Sequence, residues 1–475
     1  MTKRTRTILF GVFLSLFLLS ILPMVLFTKG YRVDLDNLKL VETGGIDLNI
    51  NTADTKVYLD AKLKRETSFI FKNAVFRNIL PGNYDIAIEK NNYKKWQKTI
   101  SVEAGRVSKF LDIRLFPNKM PETLLAENTN RAFLSPNLRF GLLESEGNIS
   151  GEIKAEKGIQ ILLSDNARQT LQPILTLQPD EYIKEILWSW NSDIFFIFGQ
   201  GAGGNFLYSG SAGRAQELKS WNSFLRNSFP NAYSSTNIRV SSNSADVLYV
   251  LQRASDNTFS LNSVDLSQRI IRADILKGII SFNIIDDNIF YISKEGVLFV
   301  TNITTSETKQ LSSTAISRAD ANAKLIVRED SESIMIINRG DLFLWESEKP
   351  FLKIAGNTVG AAFSPDKEKI LYWDGGEVKI YWLKEVFGPP SRVPGDTETI
   401  SGYSEIKTAG WISGSASYVV FQTADKIVFA ELDSRDKRNV FEYPITTFPG
   451  VFGIDSSVQR IYTLINGDLV SLRYD

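Results

Sequence analysis

The side chains that carry most acid–base and nucleophilic chemistry near neutral pH are missing from this sequence, which has no His and no Cys in 475 residues. Without imidazole there is no Ser-His-Asp or Cys-His arrangement and no His-ligated zinc. Without thiols there is no disulfide, thiolate metal site or thiol nucleophile. Carboxylates are plentiful, with Asp+Glu 54 against Lys+Arg 54. A glycosidase-type pair would need two of them about 5–9.5 Å apart, and no pair stands out. The even charge balance argues against nucleic acid as a partner.

The remaining motifs are weak signals. Gly199-Gln-Gly-Ala-Gly-Gly204 has the glycine spacing of a dinucleotide loop, but Asn205-Phe-Leu-Tyr208 follows it as a strand. A pyrophosphate site would need a helix there, so a hairpin loop is expected. Asp34-x-Asp36 and Asp286-Asp287 lack the six or more oxygens of a calcium loop and are expected to be solvated turns. Lys90 to Lys98 interleaves lysines with Tyr93 and Trp96. That pattern suits either a solvated hairpin tip or a contact with anionic headgroups or envelope polymers. Seven of the eight Trp lie beyond residue 120, as packing residues or as sugar-stacking platforms. The stiff loop Phe387 to Gly395 is either a partner contact or a structural insertion. The sequence assigns no catalytic, cofactor-binding or metal residue and no cofactor, and it leaves binding residues open.

The elements that would position such groups begin with an anchor. Ile8 to Phe27 is twenty residues without a charge. At about 1.5 Å per residue it spans roughly the 30 Å hydrocarbon core of a bilayer. Lys3, Arg4 and Arg6 precede it, which keeps the first seven residues cytoplasmic and puts everything after Lys29 outside. A cleaved signal peptide is the rival, but its apolar region runs about 7–15 residues and ends in a small-x-small site. Here the run closes in Val25-Leu-Phe-Thr-Lys29. A juncture covers residues 29–43.

Residues 44–117 read as a small β-sandwich of roughly six strands. Ile46-Asp-Leu-Asn-Ile50 and Lys56-Val-Tyr-Leu-Asp60 alternate in polarity, and Leu80-Pro-Gly-Asn83 turns into the strand Tyr84 to Ile88. Lys98 to Val102 and Phe110 to Leu115 follow. Gly44-Gly45-Ile46, Val57 to Asp60, Leu80 to Tyr84, Asn92-Tyr93 and Val102 to Gly105 resemble the PEGA domain, a small extracytoplasmic β module. Gly30 to Leu40 resembles the juncture that joins such a domain to an anchor. Asn51 to Asp54 replaces the family's Pro-Glu-Gly-Ala signature, and Ala61 and Asn92 stand where the family has Gly. The resemblance implies an envelope-associated binding role and supplies no catalytic residue.

From about 120 to 475 one pattern recurs, a tight turn followed by a strongly apolar strand. The turns include Phe133-Leu-Ser-Pro-Asn137, Trp188 to Ser192, Val240 to Ser244, Ile284 to Asp287, Ser317 to Asp320, Phe363-Ser-Pro-Asp366, Trp411 to Gly414 and Ile454 to Ser457. The mean spacing is about 46 residues, the period of a four-stranded propeller blade. Eight blades are expected, with seven as the alternative and a pair of sandwiches as the rival fold. The unit after Gly450 holds only about three strands, so a strand near Leu124-Leu125 is expected to complete it and close the ring. Glu217 to Phe229 reads as the one helical insertion. The turns resemble those of WD-repeat and TolB-like propellers. The expected role is non-enzymatic: an envelope binding or scaffolding protein, single-pass, with an envelope protein or polysaccharide as partner. An extracytoplasmic carboxylate hydrolase is the alternative.

Overall fold

The structure is a computed structural model that describes all residues except 1–2, 35–38, 69–71, 147–158, 225–237, 254–258, 388–389, 413, 446 and 456. The chain is mainly β. An α-helix over Lys3–Thr28, with Pro23 inside, is long and apolar enough to cross a membrane over Thr5–Thr28. Its described side chains, among them Ile8, Phe13, Leu19 and Met24, are largely exposed. The helix is followed by a turn at Gly30, whose carbonyl accepts the Thr43 N–H at 2.7 Å, while Gly105 N–H donates to the Thr43 carbonyl at 3.1 Å. Between these points the chain makes the hairpin Tyr31–Asp34/Lys39–Glu42.

Two sheets follow and face each other. One has the order Asn73–Ile79, Gly44–Ile50, Val107–Ile113, the last pair being parallel. The other has the order Lys62–Glu66, Lys56–Leu59, Gly82–Glu89, Trp96–Val102. Ile46, Leu48, Phe110 and Ile113 from the first meet Val57, Ile86, Ile88, Trp96 and Ile100 from the second in one core. Alternation explains the split, because Trp96–Val102 buries every second residue. Seven strands form where roughly six were expected. Asn92 is left-handed at φ 66°, which Asn tolerates. Asp60 and Ala61 are also left-handed, so Ala61 accepts a conformation that Gly would take without strain.

Beyond Pro117 the chain builds a succession of antiparallel four-stranded sheets, a β-propeller. They cover 129–176, 182–220, 324–355, 360–402 and 408–444. Residues 238–310 form one seven-stranded sheet, because the sixteen-residue strand Ile270–Ile285 is shared. Its first half pairs with Phe259–Asp265 and its second half with Asn288–Ser293. The last sheet combines Thr447–Asp455, Arg460–Ile465 and Asp468–Arg473 with Glu122–Ala126 from the other end of the domain. The expected closing strand at Leu124-Leu125 is therefore present, and Thr129 N–H adds a bond to the Gly467 carbonyl.

Each sheet buries one face against the next. Phe195, Ile197, Leu142 and Ile161 share a cluster, as do Met335, Leu344, Ile370 and Tyr372. The last sheet meets the first in the same way, through Leu125, Leu143, Leu162, Tyr462, Leu464 and Leu469. Middle strands lie between two such faces, which is why Tyr418–Gln422 and Ser333–Asn338 are buried at every residue. The recurrent Ser of the turns has a structural task. Ser135, Ser189 and Ser364 each accept, on Oγ, the backbone N–H five residues on, at 2.9–3.0 Å. Each also donates to an Asn or Asp side chain two residues on. The expected helix over 217–229 is not formed as such. Arg214–Ser220 is a strand pairing with Gly204–Ser211, and 222–224 is a helical turn. Apolar spacing at 218, 221, 224 and 225 arises because Leu218, Trp221 and Phe224 pack onto neighbouring strands. The remainder lies outside the described residues.

Candidate functional site

The basic stretch Lys90 to Lys98 is where the structure departs most from expectation. Its first half is a turn with Asn91, Asn92 and Lys95 exposed, as a hairpin tip would be, but its second half is the seam between sandwich and propeller. Trp96 is fully buried, with its Nε1–H donating to Glu431 Oε1 at 3.2 Å. The Lys98 side chain is 0% exposed. Its ammonium donates to the carbonyls of Asp433, Arg435 and Lys437, each at 2.9 Å, and lies 3.3 Å from Glu431 Oε2. The loop 433–437 thus wraps a lysine much as it would a cation. Asn439 completes the shell, donating from its side chain to Glu431 Oε2 at 2.8 Å. Burial pushes the Glu431 carboxyl up from its ordinary range, and the Lys98 charge opposes that shift. Lys94 reaches the Glu442 carbonyl at 3.1 Å.

Two backbone donors of the same strand are capped across the seam. Gln97 N–H donates to Asn439 Oδ1 at 3.2 Å and Thr99 N–H to Asp436 Oδ2 at 2.8 Å. The connection to the propeller is also buried. Phe116 sits among Tyr418, Phe429 and Phe441, and the Tyr443 hydroxyl donates to the Pro117 carbonyl. Beside the seam runs a groove with two widenings of about 470 and 1090 Å³. Val107–Ile113 forms one wall, and Val386, Arg392 and the 431–436 loop form the other.

The first strands of successive sheets approach one another and line the propeller's axis. Among the described residues, Glu185 is the one carboxylate within the body of these strands; Asp455 ends the last of them in a turn, bonded to Ser457. Burial pushes the Glu185 carboxyl up to about 7, with Arg239 on the next sheet opposing. Burial likewise lowers the Arg239 guanidinium, which donates to the Ile238 carbonyl at 2.8 Å. Glu185 Oε2 has no hydrogen bond among the described residues. Arg131 is held by Glu144 and the Ile183 carbonyl nearby. Among the described residues, a second carboxylate facing Glu185 for acid–base work is not assembled on these strands.

The other sequence motifs fall outside both places. Gly201 and Gly204 pair across a two-residue hairpin, and Gly204 has φ +97°. Asp287 bonds Asn243, and the Asp286 carbonyl accepts the Ser242 hydroxyl, as in a turn; Asp36 lies outside the described residues. No group of three or more acidic side chains suited to a metal occurs among the described residues. Trp345, Trp382 and Trp411 are buried, and Trp190 is 63% exposed. In the 387–395 loop, Phe387 is 84% exposed and Arg392 stacks over Trp382 at 4.9 Å. Sequence reading missed the seam, since its partners are more than 330 residues apart.

No family model and no curated protein matches the chain. Solved structures similar to it include the C-terminal WD40 domain of Sif2, at 12% identity and a TM-score of 0.47, covering 74% of this chain and 97% of that one. The Dos1 propeller is similar at 12% identity and a TM-score of 0.47, covering 75% and 95%. YCF48 from Cyanidioschyzon merolae is similar at 12% identity and a TM-score of 0.39, covering 62% and 97%.

Proposed function

We propose that this chain is a non-enzymatic scaffold of the cell envelope, tethered by its apolar helix and presenting a sandwich and a closed eight-bladed propeller outside the cytoplasm. The domains are a cytoplasmic tail over 1–7, an anchor over 8–28, a juncture over 29–43, a PEGA-like sandwich over 44–117 and the propeller over 120–475. The observation that carries the scaffold is the seam. Lys98, buried against Glu431 and three carbonyls, fixes the propeller to the module that holds the end of the helix. Enzymes that rely on domain closure need hinges; a welded, buried joint suits a part that holds a surface in one orientation. Eight blades are supported by eight groups of four strands, once Ile270–Ile285 is counted in two of them, and by the cluster joining the last sheet to the first. The carboxylate-hydrolase alternative is disfavoured because, among the described residues, Glu185 is the one carboxylate within the body of the axial strands.

Protease added to intact spheroplasts of an expressing bacterium tests the orientation and the tether together. Digestion of the body, with an apolar fragment ending near Lys29 retained in the membrane fraction, is the expected result. Full protection would reverse the orientation. Release of an intact body beginning near Lys29 would make the helix a cleaved signal.

A further inference from the structure

A β-sheet edge presents unpaired N–H and C=O groups, and proteins cap or cover such edges unless they are used. The sandwich has two edge strands beside the propeller, and they are treated differently. Along Trp96–Val102 the outward donors of Gln97 and Thr99 are capped by Asn439 and Asp436. Val107–Ile113 pairs on one side alone, with Gly44–Ile50. Gly45 N–H bonds to the Arg106 carbonyl, so Arg106, Ser108 and Phe110 turn their backbone groups toward that partner. Alternation then turns those of Val107 and Lys109 outward, and Leu111 falls at a register shift between Phe110 and Ile113, with no ladder partner of its own. Of these outward groups, the Lys109 carbonyl is taken, accepting from the Arg435 guanidinium at 2.7 Å. Outside the ladder, no bond occurs among the described residues for the N–H groups of Val107, Lys109 and Leu111 or for the carbonyls of Val107 and Leu111.

This open edge runs along the groove. Leu111 is 72% exposed, Val107 53% and Phe387 across the groove 84%, an apolar lining that water does not favour. We propose that the Val107–Ile113 edge binds an extended peptide of a partner protein by strand addition, with alternate apolar side chains of the peptide set against Val107, Leu111 and Phe387. The inference rests on the binding reading above and narrows it to one site and one class of partner. The opposite wall of Val386, Arg392 and the 431–436 loop favours a single chain as occupant. A second copy could offer its own edge only by bringing its propeller into the same space. The groove's wider end includes Glu103 and Arg106, in the loop whose Gly105 bonds to Thr43 beside the end of the helix. A peptide rising from the same membrane would meet it first there. Backbone bonds would supply affinity and the apolar positions specificity.

The test uses the full chain in lipid nanodiscs and a phage-displayed library of random twelve-residue peptides. The tightest peptide is synthesised with N-methyl groups at odd or at even positions. Strand addition predicts that one set loses at least tenfold in affinity and the other binds as the parent peptide does. Leu111→Pro removes an N–H at the register shift, where Leu111 has no partner in the ladder, a change that an edge strand or a bulge accepts. It is expected to weaken binding at least tenfold. Equal binding by both N-methyl sets, or unchanged binding to Leu111→Pro, overturns the proposal while leaving the scaffold reading intact. Enrichment no better than on empty nanodiscs also overturns it. A concentration-dependent dimer abolished by Leu111→Pro would put a second copy in the groove and overturn the peptide assignment. The N-methyl series needs no variant, so poor folding of Leu111→Pro leaves the decision open to it.

Discussion

Replacing Lys98 by Met keeps the aliphatic stem and removes the charge that the 433–437 loop encloses. Four acceptors lose a donor at once: the carbonyls of Asp433, Arg435 and Lys437, and Glu431 Oε2. Glu431 is left buried, with Trp96 Nε1 and Asn439 as its remaining donors. Breaking a buried pair from one side costs about 3–5 kcal/mol, because the surviving charge is uncompensated. The loss should appear locally, in the opening of the seam. Gln97 and Thr99 donate their N–H groups to propeller side chains, so their hydrogen exchange reports that opening. Exchange at both should speed up by about two to nearly four orders of magnitude, at 1.36 kcal/mol per tenfold. Glu431→Gln should cost less, about 1–3 kcal/mol, since the three carbonyls still hold the ammonium. The double variant should lose less than the sum of the two.

The pH dependence has a definite sign. The folded-state carboxyl of Glu431 is raised by burial, so the native state holds its proton over a range where the unfolded state has lost it. Stability from such a group falls as pH rises through that window. Taking away Lys98 removes the charge that limits the shift, so the deficit of Lys98→Met should be larger at pH 8 than at pH 5. If exchange at Gln97 and Thr99 changes by less than tenfold at pH 8, Lys98 does not hold the seam, and the joint rests on its other contacts, Phe116 and Trp96 among them.

Two further expectations concern the ring. Leu125→Ala should lower the thermal stability of the chain by about 2–4 kcal/mol, because Leu125 is 7% exposed in the cluster that joins last sheet to first. Leu124→Ala on the same strand should cost under about 1 kcal/mol, since Leu124 is 47% exposed; equal losses would mean that the strand does not close the ring. For Glu185→Gln, the parent carboxyl titrates at about 7 in the native state, above its unfolded value, so between about pH 4.5 and pH 7 the parent suffers a loss of stability that the variant lacks. After a discount for partial solvation, the melting difference should move in the variant's favour by about 1–2 kcal/mol from pH 5 to pH 8, and a difference independent of pH would contradict burial as the cause.

What was legible in the sequence follows from what is local. Ser-Pro-Asn and Ser-Pro-Asp mark turns because a Ser hydroxyl takes the N–H five residues on, and that geometry is written within six residues. The closing strand was legible by subtraction, since a unit three strands long leaves an edge that the chain must cover, and Leu124-Leu125 was the apolar segment free to cover it. The strand Ile270–Ile285 hid a boundary, because a bulged strand can leave one sheet and enter the next without a turn signal. Lys98 was illegible for a different reason. In a strand of alternating polarity a lysine reads as solvent-facing, and only a loop more than 330 residues away makes it an interior residue. The same holds for the open edge, which depends on which strand lies beside the propeller.

The seam and the ring closure are also connected in series along the chain. Ile113 ends the open edge strand, Leu115, Phe116 and Met120 are buried, and Glu122 begins the closing strand. Eight residues thus separate the candidate peptide site from the strand that completes the last sheet, and the buried side chains among them leave little slack. Asp112 bonds Ser415, and the Tyr418 hydroxyl accepts the Arg114 N–H, so this short passage is held to the sheet over 408–444 from both sides. A chain added along Val107–Ile113 would therefore extend a sheet already braced by the propeller. Ordering the edge costs little when its flanks are fixed beforehand, and most of the backbone bonds gained would then appear as affinity. Phe116 and Lys98 clamp the joint at two separate points. Losing one should loosen the groove without freeing the sandwich, and losing both should leave the connection to the bonds of Asp112, Arg114 and Pro117 and to the closing strand.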